Sequence, residues 1–582
     1  MRGRLNIKEK IMKVASTMNK EGLHLRREFE DMRDLIEQAA NLYKDKNAYS
    51  YRINPRDQEA VKVNFIQLRD DVRALATEFI ARGFDGKKIA LVAKLSYGWV
   101  CTYFATLISG GVLVPLDKDW HGVDLADTIK KAEAEILICD EDLFGKAEEI
   151  MKENESIKAP IFTLDSENGE SIPYLIELGR AKFAENSDPY FKKEIDVQRL
   201  SLLVFTSGTT GKGKGVMLNQ RAILTDMADS IQYIDFSDKT VGVLPPHHTF
   251  GSSVMLTGHA SIGSEIYISG GLKYITNELK AEKPGHLVLV PLYLETFYRK
   301  ILANIKSQGK EKLVFRMMKI SNFLRKIGID LRKKFFGQIR AAFGGELKTV
   351  ISGGAPLNKE IVDFFDGIGI TTLNGYGITE CAPIIAVNHS KKNRPGSVGP
   401  ALLIDDVKLD NPNEDGEGEL IVKGSNVMLG YYKDEAATAD AIDADGYFHT
   451  GDIGKFGAAG EIYITGRSKN LIILSNGKNV YPEEIENELI SAPGVLEIVV
   501  YEGKSNRGNS YNTIVAEIYP DSDYISKNGI EDVKAHLQPY VDAYNRNAVP
   551  YKKIGLLKIR TEEFPKNTLR KILRFKLDTT ID

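Results

Sequence analysis

Residues 87–140 have the sequence KKIALVAKLSYGWVCTYFATLISGGVLVPLDKDWHGVDLADTIKKAEAEILICD, and the alternation of elements within them decides the fold. Three short apolar runs, KKIALVAK, VLVPLD and EILICD, have the composition of buried strands. An apolar helix closed by glycines is predicted at 96–111, and a second helix at about 122–134. Because alternating strands and helices build a mostly parallel sheet with helices on both faces, we expect an α/β fold.

Beyond about residue 395 the sequence changes to shorter strands separated by glycine-rich turns. Examples are GEGELIVKG (416–424) and GEIYITG (460–466). This pattern of short strands and glycine-rich turns predicts a small β-rich subdomain over about 395–466.

The last part of the chain predicts a separate small α+β domain. Its order is strand LIILS, helix PEEIENELI, strand EIVVYEG and a helix at 530–541. A chain of 582 residues is also too long for one hydrophobic core. We therefore expect a large domain over 1–466 and a small C-terminal domain over 467–582, with the boundary at Gly466–Lys469.

The composition is that of an ordinary soluble globular protein, with 43% hydrophobic residues, 27% charged residues and a net charge of −3. The three cysteines, Cys101, Cys139 and Cys381, lack metal-ligand spacing, which argues against a zinc site or disulfide framework and favours a reducing cytoplasm. The amino terminus lacks the apolar run of a signal peptide, and no stretch reaches the roughly 20 apolar residues that span a bilayer. We expect a soluble, cytoplasmic protein.

The segment LLVFTSGTTGKGKGVML (202–218) carries the most chemical information. An apolar strand leads into a loop of glycines, hydroxyls and lysines, whose backbone N–H groups and side chains suit a triphosphate. A Walker A loop is the sharpest alternative, but Gly215 stands where its magnesium-binding hydroxyl should be, and the next run resembles a strand rather than a helix. A flexible surface turn is the other alternative.

With this loop, the chain resembles the AMP-forming acyl-adenylating superfamily: acyl-CoA synthetases, aryl-CoA ligases, peptide-synthetase adenylation domains and firefly luciferase. Further motifs follow in the order and spacing of that family, from about residue 65 to the end. The resemblance implies a mobile C-terminal domain, ATP and Mg²⁺, and coenzyme A as co-substrate. It is strongest for long-chain fatty acyl-CoA synthetases.

The resemblance implies a set of nucleotide-binding residues. Within it, ISGGAPL would frame the adenine, Tyr376 of NGYGITE would stack on it, and Asp452 of YFHTGDIG would accept hydrogen bonds from the ribose hydroxyls. Arg467 of GRSKN would face the ribose and phosphates. The implied set is Thr206, Ser207, Gly208, Thr209, Thr210, Gly211, Lys214, Gly353, Gly354, Ala355, Tyr376, Asp452 and Arg467.

Four residues are implied to be catalytic: Lys571, Thr379, Glu380 and His248. Glu380 would hold Mg²⁺, which prefers carboxylate oxygens, and Thr379 would hydrogen-bond a phosphate oxygen. His248 lies in VLPPHHTFG with Phe250 behind it, and spacing alone would favour a core or loop residue over a functional one.

The carboxy-terminal motif FPKNTLRKILR (564–574) departs from the family pattern. Arg570 precedes the implied catalytic lysine where glycine is common, which leaves Lys566 as an alternative to Lys571. In the phosphate loop, Gly213 stands where many relatives have proline. Neither change removes a functional group.

Three further residues are implied to serve the transfer of the acyl group. Lys469 falls at the hinge between the domains, and Gly477 would leave room for the pantetheine arm of CoA. Lys478 is a candidate for contacting the nucleotide or a CoA phosphate. A separate carrier protein is the alternative acceptor to CoA.

The basic segment 299–340 contains thirteen Lys or Arg residues against Glu311 and Asp330, with apolar residues at helical spacing. Such a helix suits peripheral contact with an anionic membrane, where a long-chain acid would partition. The alternative is a solvated face that packs its apolar side on the large domain. Nucleic-acid binding is disfavoured, because the rest of the chain is not basic.

The resulting hypothesis is an AMP-forming ligase for a small-molecule acid, with a medium- to long-chain fatty acid as substrate. An aryl-acid ligase or an acyl-AMP ligase that loads a carrier protein is the alternative. A non-catalytic relative, a luciferase-like oxygenase and a ligase that stops at the adenylate also remain open.

Overall fold

The computed structural model describes residues 23–120, 122–153, 160–164, 171–206, 213–474, 479–505, 512–566 and 572–581. These residues form two compact units. The first unit comprises the chain up to Thr206, Gly213–Asp406 and Lys423–Gly446; the second comprises Val407–Val422 and the chain from Tyr447 onward. In this division 407–422 and 447–466 group with the C-terminal residues, and the boundary at Gly466–Lys469 stays a prediction.

The central element of the first unit is a sheet of seven strands in the order β18-β8-β7-β4-β3-β5-β6. The strands from β7 to β6 pair in parallel, whereas β8 and β18 are antiparallel to their neighbours. The bounds are β3 Lys88–Val92, β4 Val112–Leu116, β5 Ile136–Cys139, β6 Ile161–Thr163, β7 Leu200–Thr206, β8 Lys214–Asn219 and β18 Gly430–Tyr431. The mostly parallel sheet expected from residues 87–140 is therefore present.

The helices predicted within residues 87–140 are confirmed. They are α3 Tyr97–Ser109 and α4 Gly122–Ala132. Helix α3 begins where the Ser96 side chain accepts a hydrogen bond from the Trp99 N–H, and it ends at Gly110, whose φ of 83° suits a residue without a side chain. Local capping thus fixes both ends of this helix.

The first unit contains two smaller four-stranded sheets, β2-β1-β10-β9 and β11-β12-β13-β14. Strands β11, β12 and β13 are parallel, so their carboxyl ends lie at one edge. The bounds are β1 Asn47–Tyr51, β2 Val61–Asn64, β9 Lys239–Gly242, β10 Glu265–Ile268, β11 His286–Leu289, β12 Thr349–Ser352, β13 Thr371–Gly377, β14 Ile384–Val387 and, separately, β15 Gly399–Pro400.

Most helices of the first unit connect these strands. A π-helix covers Phe250–Gly258. The α-helices are α1 Met32–Tyr43, α2 Phe65–Ala81, α5 Phe144–Glu153, α6 Ile172–Glu185, α7 Asp188–Lys192, α8 Gln220–Ser230, α9 His259–Ile262, α10 Ile275–Glu282, α11 Pro291–Ser307, α12 Glu311–Lys326, α13 Arg332–Phe335, α14 Gly337–Arg340, α15 Lys359–Gly367 and α16 Glu435–Ala441.

The second unit has two main sheets, one with strands in the order β20-β19-β17-β16 and one in the order β23-β24-β25. A core that includes Ile485, Val500 and Leu537 lies under the second sheet. The bounds are β16 Asp405–Asp410, β17 Gly418–Gly424, β19 Phe448–Phe456, β20 Glu461–Arg467, β21 Ile472–Ile473, β22 Asn479–Val480, β23 Val495–Gly503, β24 Thr513–Pro520, β25 Leu556–Ile559, α17 Pro482–Leu489, α18 Ser522–Lys527 and α19 Val533–Asn547.

Candidate functional site

The glycine- and hydroxyl-rich loop connects two antiparallel strands in the first unit. Thr206 ends β7 and is the register partner of Lys214, which begins β8. The run after the loop is thus a strand, as predicted, and a Walker A loop followed by a helix is excluded. Ser207, Gly208, Thr209, Thr210 and Gly211 lie outside the described residues.

Gly213 closes the loop at a point where the two strands are very close. A Cβ atom at this position would lie 2.8 Å from the Thr206 carbonyl oxygen, nearer than side chains normally approach. The Lys131 ammonium donates to the Gly213 carbonyl oxygen at 2.6 Å. Gly213, the glycine at the position where proline was expected, is therefore fixed by the contact of its carbonyl oxygen with Lys131.

Glu380 and Lys214 are linked through a third residue, Tyr431. The Tyr431 hydroxyl donates to Glu380 Oε1 at 2.9 Å, and Lys214 Nζ lies 4.3 Å from the centre of the Tyr431 ring. Burial raises the pKa of Tyr431, and the Glu380 carboxylate raises it further, so the phenol stays protonated and can donate. This contact fixes the orientation of the Glu380 side chain.

Glu380 has the properties of a cation ligand. Its backbone oxygen accepts from the Met428 N–H at 2.8 Å, which anchors the Thr379–Cys381 turn. Oε1 accepts from a neutral phenol, and no described residue donates to Oε2. The carboxylate thus has no cationic side chain paired with it among the described residues and keeps one oxygen for a hard cation such as Mg²⁺, so this residue fits the implied metal role.

Buried carboxyls support the strand that follows Glu380. Asp226 accepts from the Ile384 N–H at 3.1 Å, while Asn426 donates to the Ile384 carbonyl oxygen at 2.9 Å and to Asp405 Oδ2 at 3.1 Å. Burial raises the pKa of Asp226 well above its usual value and that of Asp405 to about 8. Asp226 thus accepts directly from β14, whereas Asp405 supports this strand through Asn426, and burial favours the protonated form of both carboxyls.

The residues implied to surround the adenine lie at the carboxyl ends of parallel strands. Gly353, Gly354 and Ala355 directly follow β12, and Tyr376 is near the end of the neighbouring strand β13. A ligand in an open parallel sheet binds at this kind of edge. The structure therefore brings these four residues to the same edge of the sheet.

The VLPPHHTFG segment lies against this edge. A Cβ atom at Gly353 would be 3.3 Å from Phe250 Cζ, so the ring packs on the glycine turn. The His248 ring lies next to the His247 ring at a centroid distance of 4.1 Å, with the two planes tilted by 51°, and His247 Nε2 lies 3.6 Å from Asp117 Oδ2. Burial lowers the pKa of His247 to about 4, so this imidazole is neutral at physiological pH.

In the second unit, Asp452 and Arg467 face each other on the adjacent strands β19 and β20. They are register partners, and Arg467 Nε lies 2.8 Å from Asp452 Oδ1. The Asp452 side chain is 3% exposed, whereas that of Arg467 is 51% exposed. Glu419 accepts from the Gly451 N–H at 2.8 Å and so holds the backbone that presents Asp452.

The remaining predicted residues have mixed outcomes. Lys469 is exposed in a short 3-10 turn at Ser468–Asn470. Lys566 forms ion pairs with Glu497 and Glu563, and its side chain is only 13% exposed, which makes it a poor candidate for reaching a substrate. Gly477, Lys478 and Lys571 lie outside the described residues.

The sequence did not identify two polar residues of the site. Tyr431 belongs to a strand of only two residues, and nothing local in GYYKD indicates that it contacts Glu380. Asp117 gave a usable signal, since it is the last residue of the predicted strand VLVPLD and directly follows the observed strand Val112–Leu116 at the carboxyl edge of a parallel sheet.

Comparison with known sequences gives one family. The model of the family described as AMP-binding enzyme matches residues 36–432. Long-chain-fatty-acid–CoA ligase 5 of Mus musculus is 28% identical over 496 residues, which cover 79% of this chain and 71% of that protein. Long-chain-fatty-acid–CoA ligase 1 of Homo sapiens is 26% identical over 516 residues, 82% of this chain and 72% of that protein.

Solved structures with the same fold confirm the expected α/β architecture. ATP-bound MatB from Rhodopseudomonas palustris has a TM-score of 0.73 at 23% identity, covering 94% of this chain and 98% of that one. The o-succinylbenzoate CoA synthetase MenE from Bacillus subtilis, solved with ATP and magnesium, has a TM-score of 0.69 at 20% identity, covering 93% and 98%. No helix among the described residues is long and apolar enough to cross a membrane.

Proposed function

Because the chain belongs to the AMP-binding enzyme family, we propose that it activates a fatty acid with ATP and transfers the acyl group to coenzyme A. The family match confirms the resemblance that the motifs predicted. The observation that carries the proposal is Glu380, a carboxylate fixed by Tyr431 beside Lys214 with one oxygen left for a cation. An acyl-adenylating enzyme needs this combination next to its phosphate loop.

The first step joins the acid to AMP. A carboxylate oxygen of the acid attacks the α-phosphorus of ATP, a new P–O bond forms, and the bond to the bridging oxygen of pyrophosphate breaks. An anion thus approaches a polyanion, and the enzyme must offset this repulsion by positioning and by fixed positive charge. A magnesium ion held by Glu380 would neutralise part of the phosphate charge.

The chain's own residues then have separate roles in this step. Lys214, Thr379 and the loop that follows Thr206 donate to phosphate oxygens, and Gly353–Ala355 with Tyr376 hold the adenine. Asp452 accepts from the ribose hydroxyls. His248 and Phe250 line the acyl side, and Lys571 donates to the α-phosphate as charge develops.

The second step releases AMP. The CoA sulfur attacks the carbonyl carbon of the mixed anhydride, a thioester forms, and the bond from carbonyl carbon to phosphate oxygen breaks. Gly477 and Lys478 are the proposed contacts for CoA, and Lys469 is the proposed hinge for the domain closure between the steps.

The relatives support a long-chain acid as substrate, since both curated proteins named above are long-chain-fatty-acid–CoA ligases. The test is AMP and pyrophosphate release with ATP and Mg²⁺ across straight-chain acids from acetate to oleate, plus benzoate and coumarate, with and without CoA. We expect CoA-dependent AMP release that is largest with long chains. AMP release only with short or aromatic acids would contradict the substrate class, and CoA-independent turnover would indicate another acceptor.

Lys571 and Lys566 are distinguished by assaying the two steps separately. Lys571→Ala should lose about a hundredfold or more in adenylate formation yet transfer acyl groups from supplied acyl-AMP to CoA at the normal rate. Lys566→Ala should affect both steps little, because its ammonium is paired with Glu497 and Glu563. The reverse result would make Lys566 the catalytic lysine.

A further inference from the structure

Helix α12 of the first unit carries an exposed apolar column beside a column of cations. We infer that this face, formed by Lys312, Leu313, Arg316, Lys319, Ile320, Phe323, Lys326 and Ile327, docks the protein on an anionic lipid surface. We call it the α12 face. The docking itself does not depend on the proposed function, whereas its use in taking up a long-chain acid does.

The two columns arise from a sevenfold repeat in the sequence. Lys312–Leu313, Lys319–Ile320 and Lys326–Ile327 are spaced by seven residues, as are Arg316 and Phe323. Seven residues are two helical turns less about 20°, so residues with this spacing align along the helix axis. The repeat therefore places Leu313, Ile320 and Ile327, the residue that follows α12, in one column, and Lys312, Lys319 and Lys326 in a second column, with Arg316 and Phe323 between the two.

The apolar column is accessible to a large degree. Leu313 is 54% exposed, Ile320 47%, Phe323 66% and Ile327 62%. Single exposed apolar residues are common on soluble proteins, but four large ones grouped on one face of a helix mark an interaction surface. Its side chains have the size to enter the boundary between headgroups and acyl chains.

The cations of this face have no ion-pair partner among the described residues. Within the described part of the chain, no carboxylate lies within ion-pair distance of Lys312, Arg316, Lys319 or Lys326. Nearby carboxylates are paired elsewhere: Asp366 contacts Arg325 at 2.6 Å, and Asp330 contacts Arg332 at 2.7 Å. The α12 face thus keeps its positive charge for an anionic partner.

The opposite side of α12 packs on the protein. Met318 and Ser321 are buried there, and Met318 Cε would lie 2.3 Å from a Cβ atom added at Gly367 of α15. Arg325 on this side pairs with Asp366 at 2.6 Å. The amphipathic pattern is therefore not explained by core packing alone, because apolar residues occur on both sides of the helix.

A lipid surface fits this face better than a second copy of the chain. A row of like charges directly beside the apolar column would repel the same row on a symmetric partner, whereas it attracts anionic headgroups. Each Lys or Arg near such a surface strengthens binding by about fivefold. A cationic column beside an apolar one is the arrangement that a helix lying in the membrane interface uses.

The test is flotation of the full-length protein with phospholipid vesicles that contain either 25% anionic lipid or neutral lipid alone. We expect binding to the anionic vesicles only, with at least about a 25-fold loss in Lys319→Glu/Lys326→Glu and about a tenfold loss in Ile320→Gln/Phe323→Gln. The matched controls are Lys280→Glu/Lys534→Glu and Leu272→Gln/Leu403→Gln, which change exposed side chains elsewhere and should bind normally.

Other outcomes would overturn the inference. Equal loss in the control variants would indicate a general charge or hydrophobic effect, and no binding by the wild-type chain would exclude the lipid surface. A change in sedimentation from dimer to monomer in Ile320→Gln/Phe323→Gln would make the face an interface between copies. AMP release with octanoate in solution reports folding of every variant and tests the proposed ligase activity separately from vesicle binding.

Discussion

Glu380 in the first unit and Asp452 in the second are both carboxylates that the motifs predicted, yet their surroundings differ. Glu380 accepts from the neutral Tyr431 hydroxyl at 2.9 Å, whereas Asp452 contacts the Arg467 guanidinium at 2.8 Å. A phenol orients a carboxylate and leaves its charge in place. A guanidinium orients it and neutralises it.

This difference separates two kinds of carboxylate chemistry. An uncompensated charge suits a metal cation, while a neutralised, buried carboxylate suits hydroxyl donors such as those of a ribose. The partner of each carboxylate is therefore as informative about its role as its motif. Four substitutions test this comparison, from the largest expected effect to the smallest.

Glu380→Gln removes the uncompensated charge and keeps an oxygen for Tyr431. We expect adenylation to fall about a thousandfold, because the side chain no longer attracts a metal ion. The measurement is AMP formation as a function of Mg²⁺ concentration. Activity within tenfold of wild type would mean that the metal is held elsewhere.

Asp452→Asn keeps the shape of the second carboxylate but removes its charge. We expect the KM for ATP to rise about 30-fold with kcat changed by no more than about threefold, because binding rather than chemistry is affected. Steady-state kinetics with ATP as the varied substrate measure both constants. An equal fall in kcat would make Asp452 a participant in the reaction rather than a binding residue.

Tyr431→Phe removes the hydroxyl that orients Glu380 and leaves the ring beneath Lys214. We expect about a tenfold loss of activity, together with a higher Mg²⁺ concentration for half-maximal rate. The matched control is Tyr432→Phe, since the Tyr432 hydroxyl donates to the exposed Glu133. Equal effects of the two substitutions would contradict a positioning role for Tyr431.

Asp405→Asn mimics the protonated carboxyl behind Glu380. Burial raises the pKa of Asp405 to about 8, so the folded state keeps a proton that the unfolded chain releases above pH 4. The free energy of unfolding of the wild type should therefore fall as pH rises from 6 to 8. Over this pH interval, the free energy of unfolding of the variant should fall by on the order of 1 kcal/mol less than that of the wild type, as measured by urea unfolding. A steeper loss in the variant would contradict the assignment.

Local sequence patterns predicted much of the fold. The elements within 87–140 match the structure within two residues at each end, because apolar runs, an N-cap serine and closing glycines act locally. The strand β18 could not be predicted in this way. Its two residues have strand geometry only because β8, far earlier in the chain, pairs with them.

Motifs identified the candidate site residues, but not how those residues are held. The sequence indicated Glu380, Lys214, Asp452 and Arg467 by resemblance, and the structure added the contacts within each pair. The link through Tyr431 depends on tertiary packing, and the pairing of Asp452 with Arg467 depends on hairpin register. Neither contact can be predicted from the local periodicity of the sequence.

The strand β18 also has a consequence for synthesis of the chain on the ribosome. Tyr431 lies 51 residues after Glu380, and Lys214 was made well before both. A nascent chain can form the hairpin of β7 and β8 and still lack the residue that fixes Glu380. The Glu380 carboxylate is therefore oriented only after nearly the whole family-matched region, which extends to residue 432, has left the ribosome.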